Sequence, residues 1–250
     1  IGLSCSTKQA QEITIELGAD AKCIEGTAQT VNIDMLRPAR LYPANNKVIV
    51  FDDVSDNIFK VFNLPDLNLA YTFGKIGGGP GEFQMVDKEC INIASDNIEI
   101  VHHNEIMNFS IGDSTFSFIE PDDASKALIL TDASPLNNVK KITEHSYVYN
   151  NNDLAGDFEL YLYDVNLGKE SATGQLSEAE KQILDQEKYP YFSKSICSNL
   201  DAKHFATFYH TRPVFKIYNQ NGVLLKEVTI IHPDTSSDDP TKLYFTDAFT

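Results

Sequence analysis

The sequence predicts an all-β protein: a β-propeller of four-stranded antiparallel blades, six-bladed or an incomplete part of such a ring, with one short inserted helix. Three observations predict it. Groups of short strand patterns recur about every 40 to 50 residues, turn residues bound each pattern, and three strands share one ending. That ending is FKVFN at 59–63, LYLYD at 160–164 and FKIYN at 215–219. A face-to-face sandwich is the competing architecture, but it predicts irregular strand spacing.

The strand groups follow one another along the whole chain. Alternating, β-branched and aromatic residues predict strands at 39–46, 47–53, 57–64 and 67–74, then at 97–103, 105–112 and 114–120, then at 145–151 and 158–168, and finally at 203–210, 213–222 and 223–230. A strand pair at 12–17 and 27–35 precedes them. A fifth group begins at 242–247, where the sequence stops, as expected for a piece of a longer protein. One blade cannot bury its apolar faces alone, so neighbouring blades must stack about an axis.

Residues 73–83, FGKIGGGPGEF, form a glycine-rich loop after the first strand group. A phosphate-binding loop would need a Lys-Ser/Thr pair behind the glycines and a helix after them. Both are missing, and Pro80 removes a backbone donor. We therefore predict a corner between two blades, with Phe83 filling the gap between the sheets. At the later turn Asn221-Gly222 we expect positive φ angles at both residues.

The segment 176–190, LSEAEKQILDQEKYP, has helical rather than strand periodicity. Ser177 and Glu180 have the spacing of a reciprocal capping box, and apolar residues at 176, 179, 183 and 184 fall on one helix face. Tyr189-Pro190 ends the pattern. We predict a short amphipathic helix that covers a blade edge, with a docking surface as the alternative.

Charge and cysteine content exclude several classes of protein. The formal net charge is −16, so most of the surface would repel a phosphate backbone, and we predict no nucleic-acid partner. The ordinary explanation of such acidity is solubility. The four cysteines form no CxxC pair, which argues against a zinc knuckle or a redox motif. Cys90 and Cys197 are expected to be small core residues.

The N-terminal residues 1–12, IGLSCSTKQAQE, resemble the end of a bacterial lipoprotein signal peptide. Cys5 follows small and aliphatic residues and would be the lipidated residue. The alternative is an ordinary cysteine near a chain end. We predict a lipobox-like tether at 1–12 and a propeller domain at 13–250, truncated at its C-terminal side, with membrane contact only through the lipid anchor.

The glycine corner, preceded by NIFKVFNLPDLNLAYT at 57–72, resembles the segment between blades in NHL-like and related six-bladed β-propellers. Together with the lipobox-like N-terminus it is similar to the six-bladed, TolB-like propeller lipoproteins of Bacteroidetes. The resemblance covers most of the chain as a repeat pattern and only the corner in detail. It implies export and a cell-envelope location, as an outer-membrane lipoprotein, and it implies no catalytic residues.

A few scarce side chains are candidates for ligand binding. The candidate residues are Arg37, Arg40, His102, His103, His210 and Arg212. On so acidic a protein, an arginine near the axis would suit an anionic ligand, because its planar guanidinium matches a carboxylate. The alternative is a salt bridge within the fold. The histidines could be gathered from several blades, but residues 102 and 103 point to opposite faces of a strand and cannot easily share one metal. We predict no metal site.

Residues 150–159, NNNDLAGDFE, contain many oxygen ligands. On the EF-hand template Ala155 takes a ligand position and Leu162 replaces the terminal glutamate, so the template fails. An irregular calcium site and a plain hairpin loop are the two interpretations, and we predict no cofactor.

The sequence contains no G-x-S-x-G elbow and no H-E-x-x-H helix. We therefore predict a non-enzymatic propeller of the bacterial cell envelope that binds an unknown protein or a glycan-derived ligand over one mouth of the ring, where loops converge. An extracellular saccharide hydrolase or lyase with its site at the propeller axis is the alternative, because fold does not determine function. A structural subunit of an envelope complex is a third interpretation.

Overall fold

The structure is a computed structural model that describes residues 11–16, 26–28, 30–31, 33–79, 82–94, 97–102, 105–112, 116–119, 138–152, 154–183, 190–199 and 203–231. Contacts divide the chain into two compact units. The middle unit is Glu25–Lys140, and the terminal unit is Ile1–Ile24 together with Lys141–Thr250.

The described residues form strands almost throughout. In chain order these are β1 (Gln11–Glu16), β2 (Pro38–Ala44), β3 (Lys47–Asp52), β4 (Asn57–Asn63), β5 (Asn68–Lys75), β6 (Ile91–Ala94), β7 (Asn97–His102), β8 (Glu105–Ile111), β9 (Phe116–Ile119), β10 (Lys140–Thr143), β11 (Ser146–Asn150), β12 (Phe158–Asp164), β13 (Lys169–Gln175), β14 (Lys194–Asn199), β15 (His204–Tyr209), β16 (Val214–Asn219) and β17 (Leu224–Ile231). The helix α1 (Glu178–Lys181) is one turn long, and two 3₁₀ turns span Lys88–Cys90 and Ala155–Asp157.

These strands pair into four sheets of sequence neighbours. The order is β2-β3-β4-β5 and β6-β7-β8-β9 in the middle unit, and β10-β11-β12-β13 and β14-β15-β16-β17 in the terminal unit. A meander of four antiparallel strands is the blade of a propeller. The all-β, four-stranded-blade prediction is therefore confirmed, and the described residues hold four blades. The predicted fifth group at 242–247 lies outside them.

Strand β1 adds a fifth strand to the last sheet. It runs parallel to β17, with Gln11 opposite Lys226 and Ile15 opposite Ile230. The N-terminal segment is thereby hydrogen-bonded to the last described strand of the chain. The predicted partner strand at 27–35 is wrong for its described residues, which are not in strand conformation, because β17 rather than this segment pairs with β1.

The two sheets of the middle unit share one apolar core that the glycine corner completes. Phe59 stacks on Phe73 with ring centroids 4.5 Å apart. Phe83 is 1% exposed and lies 6.4 Å from the Phe59 ring and 5.9 Å from the Phe109 ring, so it contacts one sheet on each side. Its amide donates to the Lys75 carbonyl at 2.9 Å. The corner and the role of Phe83 are as predicted, while Pro80 and Gly81 lie outside the described residues.

The two sheets of the terminal unit also pack closely. Val148 and Leu160 of one sheet share a buried apolar cluster with Ile196, Phe205 and Tyr218 of the other, and Thr173 Oγ1 donates to the Gly222 carbonyl at 2.6 Å. Gly222 has φ +76°, and a Cβ there would lie 2.6 Å from Thr173 Oγ1. Asn221 does not have a positive φ. The prediction for this turn is thus wrong at Asn221, because a bulge between Ile217 and Tyr218 lets one left-handed residue close it.

The sequence prediction gave no strand range for β6, β10, β13 or β14. The buried starts of β10 and β14 are Lys140, Lys194 and Ser195, polar residues that conceal the alternation of apolar side chains on which a strand prediction depends. Strand β13, KESATGQ, is mostly exposed and has no apolar face. Two of the missed strands therefore carry buried polar groups.

The capping box is present, but the described helix is shorter than predicted. Ser177 Oγ accepts from the Glu180 amide at 3.3 Å, and Glu180 Oε2 accepts from the Ser177 amide at 2.9 Å. Residues 184–189 lie outside the described part. The described residues 190–192, which include Pro190, are helical, so the helical pattern does not end at Pro190 as predicted. Leu176 packs with Phe192 in a buried cluster, which favours the lid over the docking surface.

Candidate functional site

A buried ionic cluster lies at one end of the terminal unit's two sheets, and Glu159 is at its centre. Glu159 is fully buried near the start of β12. Its Oε1 accepts from Lys216 Nζ at 2.8 Å, and its Oε2 lies 3.2 Å from Lys194 Nζ and accepts from the Tyr209 hydroxyl at 2.5 Å. Every partner comes from the neighbouring blade, on β14, β15 or β16. The carboxylate therefore joins the two blades.

Burial and charge act in opposite directions on this cluster. Burial alone would raise the pKa of Glu159, but Lys194 and Lys216 outweigh it and lower that pKa to about 2. Burial lowers the pKa of Lys194, although Glu159 partly compensates. Burial also opposes the charge of Lys216, but the neighbouring Glu159 and Glu180 raise its pKa. Glu159 is an anion held by two lysines, not a group ready to exchange protons.

Arg212 lies beside this cluster in the loop between β15 and β16. Its guanidinium carbon is 4.0 Å from the centre of the Tyr191 ring and 3.9 Å from the centre of the Tyr209 ring, so both rings are within cation–π distance of the charge. Its Nη1 donates to Glu180 Oε1 at 3.3 Å. Among the described residues, its Nε and Nη2 have no hydrogen-bond partner although both atoms are buried.

The cluster carries more positive than negative charge. Lys194, Lys216 and Arg212 contribute three positive charges, while Glu159 and Glu180 contribute two negative ones. An unpaired buried donor and an uncompensated buried charge both cost free energy. The unpaired edge of Arg212, formed by Nε and Nη2, is therefore the place in this cluster where an anion would be stabilised.

His210, the residue after Tyr209, bridges two serines. Its Nδ1 lies 2.9 Å from Ser193 Oγ, and its Nε2 lies 3.0 Å from Ser195 Oγ. Ser195 is 2% exposed. The predicted site residues His210 and Arg212 thus lie in the same loop region of the terminal unit.

The other predicted arginines lie in the middle unit and are engaged in ion pairs. Arg37 Nε and Nη2 donate to the two oxygens of Asp53 at 2.6 and 2.8 Å. Arg40 is buried, with its Nη1 2.7 Å from Glu89 Oε2. For both residues the salt bridge within the fold, the alternative interpretation, is what the structure contains. Arg37 and Asp53 also line a cleft of about 460 Å³ in this unit.

The remaining candidates are spread over the chain. His102 ends β7 and contacts the Phe83 ring edge-on at 5.8 Å, while His103 and Cys5 lie outside the described residues. In the loop 150–159, Asn151 Nδ2 donates to the Phe158 carbonyl at 2.7 Å, as in a hairpin loop. The described part of the chain contains no group of three His, Cys, Asp or Glu side chains that could hold a metal ion.

Sequence reasoning missed Glu159, Lys194 and Lys216. One signal was available for the lysine of β16. Lys60 and Lys216 occupy the same position of the shared ending, in FKVFN and FKIYN, and each is buried. Lys60 Nζ donates to Asp52 Oδ2 at 2.9 Å. A lysine between an aromatic and a β-branched residue in a core strand indicates a buried carboxylate nearby, because a charge in the core requires a partner.

The fold and this cluster define a class: an all-β protein of four-stranded antiparallel propeller blades, with a buried cationic cluster at one end of two of them. No protein-family model and no curated protein matches the sequence.

Among solved structures the chain is similar to a Bacteroides fragilis protein described as exported, with a TM-score of 0.60 at 12% identity, over 89% of this chain and 61% of that one. It is also similar to a member of the DUF4221 family from Bacteroides vulgatus, with a TM-score of 0.44 at 10% identity, over 74% and 55% of the two chains. Virginiamycin B lyase from Staphylococcus aureus gives 0.40 at 12%, over 78% and 55%. The chain spans less than two thirds of each of these proteins. At such identities the likeness concerns the fold alone.

In the described residues, no helix is both long and apolar enough to cross a bilayer.

Proposed function

We propose that this chain is the blade-forming part of a six-bladed, NHL-like or TolB-like propeller protein that is exported to the cell envelope, anchored there through Cys5, and binds a ligand at the cluster around Arg212. The single observation that carries the binding role is that Nε and Nη2 of Arg212 are buried and have no hydrogen-bond partner among the described residues. A cation held in place with unused donors is a preformed binding element.

The position of the cluster supports the same role. Glu159 is the second residue of β12, Lys194 begins β14, Tyr209 ends β15 and Arg212 lies in the β15–β16 loop. These residues therefore meet at one end of the sheets, and the loops at the ends of blades are where propellers usually carry their binding residues. The excess of positive charge on a chain of net charge −16 favours an anionic ligand. The candidate ligands are a glycan-derived molecule or an acidic surface of a partner protein.

Export and anchoring rest on two supports. The N-terminal residues resemble a lipobox around Cys5, and a protein of similar fold is described as exported. Metabolic labelling with a palmitate analogue in a Bacteroidetes host tests this part. We expect the wild-type chain, expressed behind a lipoprotein leader, to be labelled and the Cys5→Ser variant to remain unlabelled. Equal labelling of the two would contradict anchoring through Cys5.

The binding role is tested with a panel of glycans, namely polygalacturonate, chondroitin sulfate, xylan and starch, by affinity electrophoresis of the unlipidated chain. We expect retardation by at least one acidic glycan and none by starch, with loss of retardation in Arg212→Gln. Arg37→Gln is the matched control, because Arg37 lies in the other unit and is paired with Asp53. Retardation that Arg212→Gln leaves unchanged would contradict a site at Arg212.

Catalysis on a saccharide is the second candidate function, and the Ser195–His210 contact is the observation that favours it. Two facts favour binding instead. Ser195 is almost completely buried, and the second ring nitrogen faces Ser193 where a catalytic histidine usually has a carboxylate. If the chain releases reducing ends from any glycan in the panel and Ser195→Ala abolishes this release, the protein is a saccharide-cleaving enzyme.

A further inference from the structure

We infer that the ligand group recognised at this cluster is a planar carboxylate, held side-on by Nε and Nη2 of Arg212. The inference rests on the binding function proposed above and specifies its chemistry.

An arginine–carboxylate contact of this side-on geometry is present elsewhere in the chain, between Arg37 and Asp53. Arg37 binds Asp53 with the same two atoms, Nε on one carboxylate oxygen at 2.6 Å and Nη2 on the other at 2.8 Å. In Arg212 this edge has no partner among the described residues, and only Nη1 is used, on Glu180. Two parallel N–H donors match the two oxygens of a carboxylate. What Asp53 supplies to Arg37 within the fold, a ligand would supply to Arg212.

The two tyrosine rings favour a flat group. The centres of the Tyr191 and Tyr209 rings lie 4.0 and 3.9 Å from the central carbon of the Arg212 guanidinium. A carboxylate bound side-on lies in the plane of the guanidinium, so it adds no oxygen above or below that plane. A sulfate or phosphate group is tetrahedral, so it projects oxygens out of that plane towards Tyr191 and Tyr209.

The charge of the cluster favours a monoanion. The ion pairs of the cluster join three cations to two carboxylates, and Glu227 on the neighbouring strand also acts on Lys216, so the cluster lacks at most one negative charge. The oxygens of Glu159 already face Lys194, Lys216 and the Tyr209 hydroxyl, so this carboxylate is not available to Arg212. Because Nε and Nη2 are shielded from water, an uncharged hydroxyl cannot replace the carboxylate without leaving the positive charge uncompensated.

The first experiment is calorimetric titration of the unlipidated chain with galacturonate, galactose, acetate and sulfate. We expect saturable binding of galacturonate, and binding at least about tenfold weaker for galactose, because a charge-assisted pair is lost. Acetate should compete with galacturonate. Arg212→Lys keeps the charge but removes the planar fork, so galacturonate should bind at least about tenfold more weakly to it. Arg37→Lys is the matched control and should bind like the wild type.

The second experiment observes the contact directly in the wild-type chain and so does not depend on the stability of a variant. Arg37, Arg40 and Arg212 are the arginines of the sequence, so the Nε–H region of a ¹⁵N-resolved NMR spectrum holds few signals. Addition of galacturonate should move the Arg212 Nε–H signal downfield and slow its exchange with water. The Arg37 signal, already bonded to Asp53, should stay in place.

The outcomes separate the two claims. Galacturonate binding that depends on Arg212 and exceeds galactose and sulfate binding supports the carboxylate assignment. Sulfate binding as tight as galacturonate binding, or an Arg212 signal that galacturonate does not move, overturns the assignment while leaving a glycan-binding function open to the panel experiment. If the folded wild-type chain binds neither any of these probes nor any glycan of the panel, both the assignment and the proposed function fail.

Discussion

Glu180 connects a helix cap to a buried cation: its Oε2 accepts from the Ser177 amide at 2.9 Å, and its Oε1 lies 3.3 Å from Arg212 Nη1. The Glu180 side chain thus caps the N-terminal end of α1 and also orients the guanidinium of Arg212 in the loop between β15 and β16. Burial would raise the pKa of Glu180, but the charge of Lys216 and the bonds to Ser177 lower it. The cap that is visible in the sequence therefore has a second role in positioning Arg212.

Removing the charge of Glu159 should strongly destabilise the terminal unit. Glu159→Gln leaves Lys194 and Lys216 buried without their common anion, and breaking a buried pair in this way typically costs about 3–5 kcal/mol. Urea unfolding followed by circular dichroism measures the change. Glu144→Gln, on an exposed turn, is the control and should stay within about 0.5 kcal/mol of the wild type. Similar losses for the two variants would show that the Glu159 cluster does not stabilise the fold.

The lowered pKa of Glu159 predicts that the stability of the folded chain decreases in acid. The pKa of Glu159 is lowered from 4.5 to about 2 in the folded chain, so between these values the unfolded chain binds more protons than the folded one. The stabilisation is complete above pH 4.5 and is lost as the pH falls towards 2. Urea midpoints measured across this range should fall for the wild type and fall less steeply for Glu159→Gln. Parallel pH profiles would mean that other carboxylates account for the acid sensitivity.

Phe83 should be the critical residue of the glycine corner. Its ring is 1% exposed and lies between sheet residues Phe59 and Phe109, so Phe83→Ala leaves a cavity and should cost about 3–5 kcal/mol. Met85, two residues later, is 76% exposed, and Met85→Ala should change the unfolding free energy by less than about 0.5 kcal/mol. If Phe83→Ala is as mild as Met85→Ala in urea unfolding, the corner does not depend on this plug.

Substitution of two glycines, Gly168 and Gly222, distinguishes the cost of backbone strain from the cost of close packing. Gly168 (φ +56°) and Gly222 (φ +76°) both have left-handed angles, but a Cβ at Gly168 meets no atom within 4 Å, whereas one at Gly222 comes within 2.6 Å of Thr173 Oγ1. Gly168→Ala should cost about 1 kcal/mol. Gly222→Ala should cost about 1–3 kcal/mol more, because the blades must move apart. Thermal unfolding of the two variants checks this, and equal losses would argue against a close approach at Gly222.

The local pattern of apolar and polar residues was sufficient to predict the strands that alternate between an apolar and a polar face. The strands that contain FKVFN, LYLYD and FKIYN, the corner with Phe83, and the Ser177–Glu180 cap are all present. The pattern failed at β10 and β14, where buried Lys140 and Lys194 interrupt the apolar alternation. It also failed at 27–35, where an alternating segment has no strand in its described residues. A strand needs a partner as well as a pattern.

The binding candidates show the same division. Arg212 is visible as a scarce cation in an acidic sequence, but so are Arg37 and Arg40, and the sequence treats the three alike. Folding pairs Arg37 with Asp53 and Arg40 with Glu89. It leaves Nε and Nη2 of Arg212 without a hydrogen-bond partner among the described residues.

Residue order alone was enough to predict blades, their turns and their sharp glycine corner, because each depends on side chains only a few positions apart. Which charges meet was decided by folding, since Glu159 and Lys216 are 57 positions apart and only the packing of one sheet against the next brings them within 2.8 Å. The same packing leaves Nε and Nη2 of Arg212 buried without a hydrogen-bond partner among the described residues.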